Sequence, residues 1–427
     1  MSGVHNSSAP VVIPKTTVTS HKDVPDASTL TADHQVKREK GGISRVSSAI
    51  SSAIKSAYQS LSKLTVAKKA PPPDSMRYST EPFKSLGHAK GAFIHLCKEQ
   101  LDVHDHDAQQ KVFTANKSAK SLGGNFTNQE KNTLFAYTTE DSPVGYQIVN
   151  GLIRANLEGS KFATDKLDAA KKTTLANFDI EAMAARLPNK ADQDKFRTFA
   201  ETYVMCLMAQ KATSAREGMA KLPLHQGITD RGMTDFPGKV DKLKAAISSP
   251  DRIKFTKEAA FFSSTAKIQT PDRLKDTPTN HAKFSNDITL LTIGRSGREL
   301  KSVSEVPGEG EVLFPSEARF EIFGHKEVQP TDATQKPKNV FFQVELSSED
   351  YAALNTLKSL NGKMNANPSY KPNDAEKQAL SHAKDFNTYV NTQMGEFAKL
   401  GWKGDLAPPL PQTCQFFAEV LAEAAQR

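Results

Sequence analysis

The spacing of apolar residues changes along this chain, and that change limits the folds open to it. Up to about residue 220 the spacing is helical, as in Phe196, Phe199, Tyr203, Cys206 and Leu207, which line one face at three- and four-residue steps. After residue 258 the period shortens. Phe261-Phe262, Ile288–Ile293, Glu299–Val303, Glu311–Phe314, Arg319–Phe323 and Asn339–Val344 read as strands. Pro223 and Gly227 bracket a further strand-like piece, Leu222–Ile228. Helical spacing returns at 348–361, 374–400 and 412–426. Helices followed by a block of strands predict an α+β domain. There is no internal repeat.

A chain of 427 residues holds two ordinary domains, or one large domain with a tail. No run approaches the roughly 18 apolar residues of a spanning helix. The first 30 residues lack a basic start followed by an apolar block, so export, where it occurs, is expected to use no signal peptide. Cys97, Cys206 and Cys414 stand far apart and fit buried thiols rather than a disulfide framework or a metal site. The chain carries a formal charge of +8, but residues 1–85 hold 12 Lys plus Arg against 6 Asp plus Glu. Most of the excess therefore sits in the tail, and a nucleic-acid-binding core is not expected.

Residues 1–85 are rich in Ser, Thr, Lys, Ala and Pro, too polar to offset their ordering entropy, and are expected to be mostly disordered. Within them Ile43, Val46, Ile50, Ile54, Ala57, Leu61 and Leu64 form an apolar stripe. An amphipathic segment over 43–64 suits a membrane surface, a partner's groove or a secretion chaperone. Pro71-Pro72-Pro73 closes the tail as a stiff linker.

The segment Gly297–Phe323 carries the chemistry. Glu309 and Glu311 stand two apart where a loop enters a strand, and a strand already begun at Glu309 turns both to one face. Paired carboxylates suit reactions that develop positive charge on a sugar ring. Glu311-Val312-Leu313-Phe314-Pro315 runs on into Phe320-Glu321-Ile322, and Leu300-Lys301-Ser302-Val303-Ser304 precedes the turn. Upstream lie Ala260-Phe261-Phe262-Ser263-Ser264-Thr265, then Tyr146 to Arg154 with Asn150 inside, and Tyr137-Thr138. In this order and form the pieces resemble the mono-ADP-ribosyltransferases of the arginine-modifying type, over roughly residues 130–345.

The resemblance implies an ADP-ribosyltransferase fold: a helical N-terminal lobe, and a split mixed or antiparallel sheet binding NAD between its halves, with extra C-terminal helices. It implies that Glu311 bonds the nicotinamide-side ribose and stabilises the oxocarbenium-like transition state. Glu309 is expected to hold or deprotonate the acceptor, with arginine the favoured acceptor. Ser263 orients Glu311 or the cofactor, Thr265 buttresses the strand, and Ser264 is counted with them as a cofactor contact. Phe262 is expected in the core. The family's arginine, just before a glycine in an early strand, falls here on Gln226 within Leu224-His225-Gln226-Gly227. Arg231-Gly232 supplies the charge after a shift in register, and His225 is a second nucleotide contact.

The domain expectation is a secretion or targeting tail (1–85), a helical lobe of the catalytic domain (86–215), an NAD-binding β core with the E-x-E turn (216–345) and a helical extension (346–427). Asp102, His104, Asp105, His106 and Asp107 lack the order of a calcium loop or zinc helix, so no metal is expected. Gly308-Glu309-Gly310 is no phosphate loop, and no G-x-S-x-G occurs. The expected function is an effector toxin, exported by a type III-like route into a host cell, where it modifies a host protein in the cytoplasm or at a membrane surface. The alternatives are a catalytically impaired binding protein of the same fold, for which Gln226 argues, and an NAD glycohydrolase.

Overall fold

The computed structural model describes residues 81–98, 126–138, 146, 149–153, 172, 175–176, 178–233, 238–276, 288–304 and 306–427. All lie in one compact unit, Lys68–Arg427. The amphipathic segment 43–64, the proline linker and the acidic histidine cluster fall outside the described residues.

A helical stretch at 86–98 is followed by α1 (Asn128–Thr138), α2 (Ile180–Ala185) and the 32-residue α3 (Lys190–Lys221). Asn189 starts α3 by accepting the Asp192 amide at 2.9 Å, and β-extended Leu222 ends it just before Pro223. Phe93, Phe178, Phe196, Ala200 and Val204 are buried between these elements. Glu130 on α1 receives Lys221 of α3 at 2.6 Å, joining the two helices at their sheet-proximal end.

The strands are β1 (Leu224–Met233), β2 (Thr256–Lys257), β3 (Phe262–Thr265), β4 (Ile288–Glu299), β5 (Glu311–Phe314), β6 (Arg319–Val328) and β7 (Lys338–Leu346). They form one seven-stranded mixed sheet in the order β1-β3-β5-β4-β7-β6-β2, with β1 also paired to β4. The β4–β7 pair is parallel and the others are antiparallel. One edge of β4 thus runs along β1 throughout. Its other edge pairs β7 over Ile288–Ile293 and β5 at Arg298 and Glu299. The sheet splits between those two stretches. There the Glu345 carboxylate, fully buried at the end of β7, accepts the Arg295 and Ser296 amides at 2.7 and 2.8 Å. A side chain replaces the strand partner those donors have lost, which frees β4 to turn toward β5.

Two expectations fail in this sheet. Ile288–Ile293 and Glu299–Val303 are not separate strands: β4 is continuous to Glu299, and Lys301–Val303 form a turn. Its glycines mark close approach, since a Cβ on Gly294 would lie 2.6 Å from Phe314 Cζ and one on Gly297 2.6 Å from Val312 Cγ1. The piece Leu222–Ile228 is likewise too short. Gly227, with φ 149°, sits at a bulge that lets β1 run on to Met233.

Helices α4 (Lys239–Ala245) and α5 (Pro271–Asp276) are short. Helices α6 (Ser348–Ala366), α7 (Asp374–Lys399) and α8 (Gln412–Ala425) cover one face of the sheet. Capping boxes at Ser347/Asp350 and Asn373/Glu376 begin α6 and α7. Leu291, Ile293, Val340, Phe342 and Val344 meet Leu354, Leu357, Phe386, Phe397, Trp402 and Phe417 there. Buried Glu321 of β6 accepts the first amides of α8, Gln412 at 2.7 Å and Thr413 at 3.1 Å, and so seats that helix on the sheet. The other face holds Phe262, Ile288, Leu290, Val312, Phe314, Phe320 and Phe341. Among the described residues no helix is long and apolar enough to cross a membrane.

Candidate active site

Strand β3 places its hydroxyls against β5. Register pairs Thr265 with Glu311 and Ser263 with Leu313, so Ser263 lies diagonal to Glu311 on the same face. Ser263 Oγ donates to Glu311 Oε1 at 2.6 Å. Burial raises the Glu311 carboxyl above its ordinary value; the Ser263 hydrogen bond opposes the rise, Glu309 adds to it, and the Arg231 charge opposes it. The result is a carboxylate aimed by a hydroxyl in a poorly solvated position.

Glu309 is exposed, and it does not belong to the strand. It ends a 3-10 turn, Pro307–Glu309, and Gly310 at φ 63° makes the left-handed step into β5. The expectation that strand alternation alone turns both glutamates to one face is therefore wrong in its reason. The turn brings Glu309 close enough to act on the charge of Glu311. Thr265 holds it there, since its Oγ1 donates to Glu309 O at 2.5 Å and the next amide, Ala266 N, donates to Gly310 O at 2.9 Å.

Arg231 reaches this group from β1. Its guanidinium donates to Ser263 O at 3.1 Å and lies 4.4 Å from the centroid of Phe262. Gln226 is exposed, about 16 Å back along β1 at the usual strand rise of ~3.3 Å per residue. His225 contacts Glu299 through Nδ1 at 3.3 Å, and its buried Nε2 has no hydrogen-bond partner among the described residues. Ser263, Thr265, Glu309, Glu311 and Arg231 thus converge, whereas Gln226 and His225 do not join them. Ser264 alternates to the opposite face of β3, where its Oγ is buried without a partner among the described residues. Phe262 packs against Phe314 and Phe320, with centroids 5.8 and 5.2 Å away.

The upstream motif pieces meet behind β3. Asn150 Nδ2 donates to Tyr137 Oη at 3.1 Å, while Asn150 Oδ1 accepts the Phe261 amide at 3.2 Å. The Tyr137 ring lies edge-on to Phe261 at 5.8 Å. Two side chains from a distant upstream region therefore fix Phe261, two residues before Ser263.

Asp230, the neighbour of Arg231, is a further residue of the site that no sequence motif marks. It is 1% exposed and accepts the Gln269 amide through Oδ2 at 2.8 Å, while Oδ1 has no partner among the described residues. Burial pushes its carboxyl up to about 6, against the Gln269 hydrogen bond and the nearby Arg273 charge. An acid following Ile228 and Thr229 in the buried middle of the strand was the available signal. Among the described residues no group of three or more His, Cys, Asp or Glu is placed to hold a metal ion.

No family model matches the chain. Over 116 residues it is 31% identical to the NAD(+)--protein-arginine ADP-ribosyltransferase Tre1 of Serratia proteamaculans. That stretch is 27% of this chain and 21% of the relative, so the chain spans about a fifth of the length of the curated relative it matches. The solved structures it is similar to include the ADP-ribosyltransferase HopU1 of Pseudomonas syringae pv. Tomato DC3000, at 15% identity, covering 54% of this chain and 84% of that one, with a TM-score of 0.33. Another is the type III effector XopAI from Xanthomonas axonopodis pv. citri, at 15% identity, 70% and 99% coverage, and a TM-score of 0.31. Superpositions this loose carry no mechanistic weight.

Proposed function

We propose that this protein is a mono-ADP-ribosyltransferase that moves ADP-ribose from NAD to a protein side chain and releases nicotinamide. The observation that carries the reading is the Ser263–Glu311 hydrogen bond of 2.6 Å, with the Arg231 guanidinium on the backbone of the same serine. A fixed cation, a hydroxyl and a half-buried carboxylate suit a dinucleotide that brings phosphates, ribose hydroxyls and a cationic leaving group.

NAD supplies ADP-ribose already joined to a good leaving group. Arg231 binds the phosphates by charge-assisted hydrogen bonds. Glu311 bonds the ribose hydroxyl and faces the positive charge that develops at C1′ as the nicotinamide–ribose bond breaks. Nicotinamide leaves with the bonding pair as a neutral ring. A nitrogen of the acceptor forms the new bond to C1′, and its proton passes to Glu309, whose exposure leaves room for a macromolecule. Arginine is the favoured acceptor, because the relative from Serratia is a protein-arginine enzyme. Arg231 beside Ser263 supports an active enzyme over the impaired binding protein for which Gln226 argues.

Delivery by a type III-like route into a host cell, with a host protein as target and a chaperone or membrane surface engaging 43–64, belongs to this proposal. Its support is the composition of residues 1–85.

The test is incubation with labelled NAD and host-cell lysate, comparing wild type with Glu311→Ala. A labelled protein band lost in the variant supports transfer. NAD consumed by wild type with no label identifies a glycohydrolase instead, and intact NAD in both reactions contradicts the reading.

A further inference from the structure

Asp230 is a costly residue where it stands. A carboxylate taken almost wholly out of water is destabilising unless its oxygens are satisfied, and here one backbone amide and the charge of Arg273 on α5 face it. What it holds is informative. The Gln269 amide lies near the end of Ala266–Thr270, the segment that leaves the Ser263–Thr265 strand. The start of that segment is tied to the glutamate turn by Ala266 N on Gly310 O, and to β3 by Lys267 N on Thr265 Oγ1 at 3.1 Å. Its last residue begins α5, since Thr270 O accepts the Leu274 amide at 3.0 Å. Between the two anchors Ala266 and Lys267 are exposed, and Ile268 packs on the core beneath α6–α8. The backbone pairing of β1 with β3 stops at Thr265, opposite Asp230, so the Asp230 carboxylate carries the tie to β1 onward to Gln269.

We propose that Asp230 is a positioning residue: by accepting the Gln269 amide it fixes Ala266–Thr270 against the strand of Arg231, so that both present one rigid rim to NAD. The proposal rests on the NAD-binding reading of this site. It concerns cosubstrate affinity rather than bond cleavage, because Asp230 touches neither Glu311 nor Ser263 in the contacts described.

The experiment compares wild type, Asp230→Ala and Asp230→Asn by NAD calorimetry, steady-state kinetics and hydrogen exchange at the Gln269 amide. Asp230→Ala is expected to raise the NAD Kd and KM about tenfold, the loss of one buried hydrogen bond, with kcat within about twofold and faster Gln269 exchange. Asp230→Asn keeps an acceptor oxygen and is expected to restore both affinity and protection. Unchanged NAD affinity in Asp230→Ala overturns the proposal. So does Asp230→Asn behaving like Asp230→Ala, or a loss confined to kcat and thermal stability. Wild type that protects Gln269 yet binds no NAD refutes the functional reading, and the proposal falls with it for that separate reason.

Discussion

Replacing Arg231 by glutamine, with Gln226→Ala as its counterpart, separates two assignments of the cation that binds NAD. The Arg231 guanidinium stands 3.1 Å from Ser263 O and 4.4 Å over Phe262, half-buried beside Glu311. A hydrogen bond to a charged group is worth about 1.5–3 kcal/mol, so its loss should weaken NAD binding roughly 10- to 100-fold at about 1.4 kcal/mol per decade. Arg231→Lys keeps the charge but not the planar fork, and should fall between. Gln226 is exposed, and its truncation should change binding by less than about 0.5 kcal/mol. Calorimetry with NAD and steady-state KM read all three variants. Weak binding in Gln226→Ala together with normal binding in Arg231→Gln would place the NAD cation site at the bulged start of β1 instead.

Other perturbations test the remaining parts. Glu309→Ala should cut transfer to protein by about 10²–10⁴-fold while sparing NAD hydrolysis, and equal loss of both activities argues against its acceptor role. Glu311 works as an anion and its pKa is raised by burial, so activity should fall on acidification at a pH above that of an ordinary carboxylate. Ser263→Ala removes a bond that favours the anion, so the residual activity should show its acid limb at still higher pH; an unmoved limb contradicts the assignment. Gly294→Ala puts a methyl 2.6 Å from Phe314 Cζ in a closed aromatic cluster. It should cost about 1–3 kcal/mol by overpacking, visible as a lowered Tm.

The order of periods was enough to read an α+β fold, because apolar spacing reports directly which face each element buries. Strands β5, β6 and β7 and helices α6 to α8 lie close to where their patterns put them. Glycine caused the failures. The expected strands stop at Ile228 and Ile293, beside Gly227 and Gly294, whereas Gly227 permits a bulge and Gly294 and Gly297 admit Phe314 and Val312 against the backbone. Two positions, Gln226 and Arg231, stand before a glycine in this stretch, so spacing alone left the family's arginine position open between them. Ser263, Glu309 and Glu311 were legible because they lie within short runs that resemble a family's motifs. Asp230 was not, because its partner is a backbone amide 39 residues away.

Glu311 is proposed to drive cleavage of the nicotinamide–ribose bond for transfer to an acceptor. The direct measurement follows nicotinamide release from NAD, with and without an arginine-like guanidine acceptor, alongside mass spectrometry of the acceptor. Wild type is expected to release nicotinamide and yield an acceptor heavier by one ADP-ribose, and Glu311→Ala to do neither. Undiminished release and adduct formation in Glu311→Ala would contradict it.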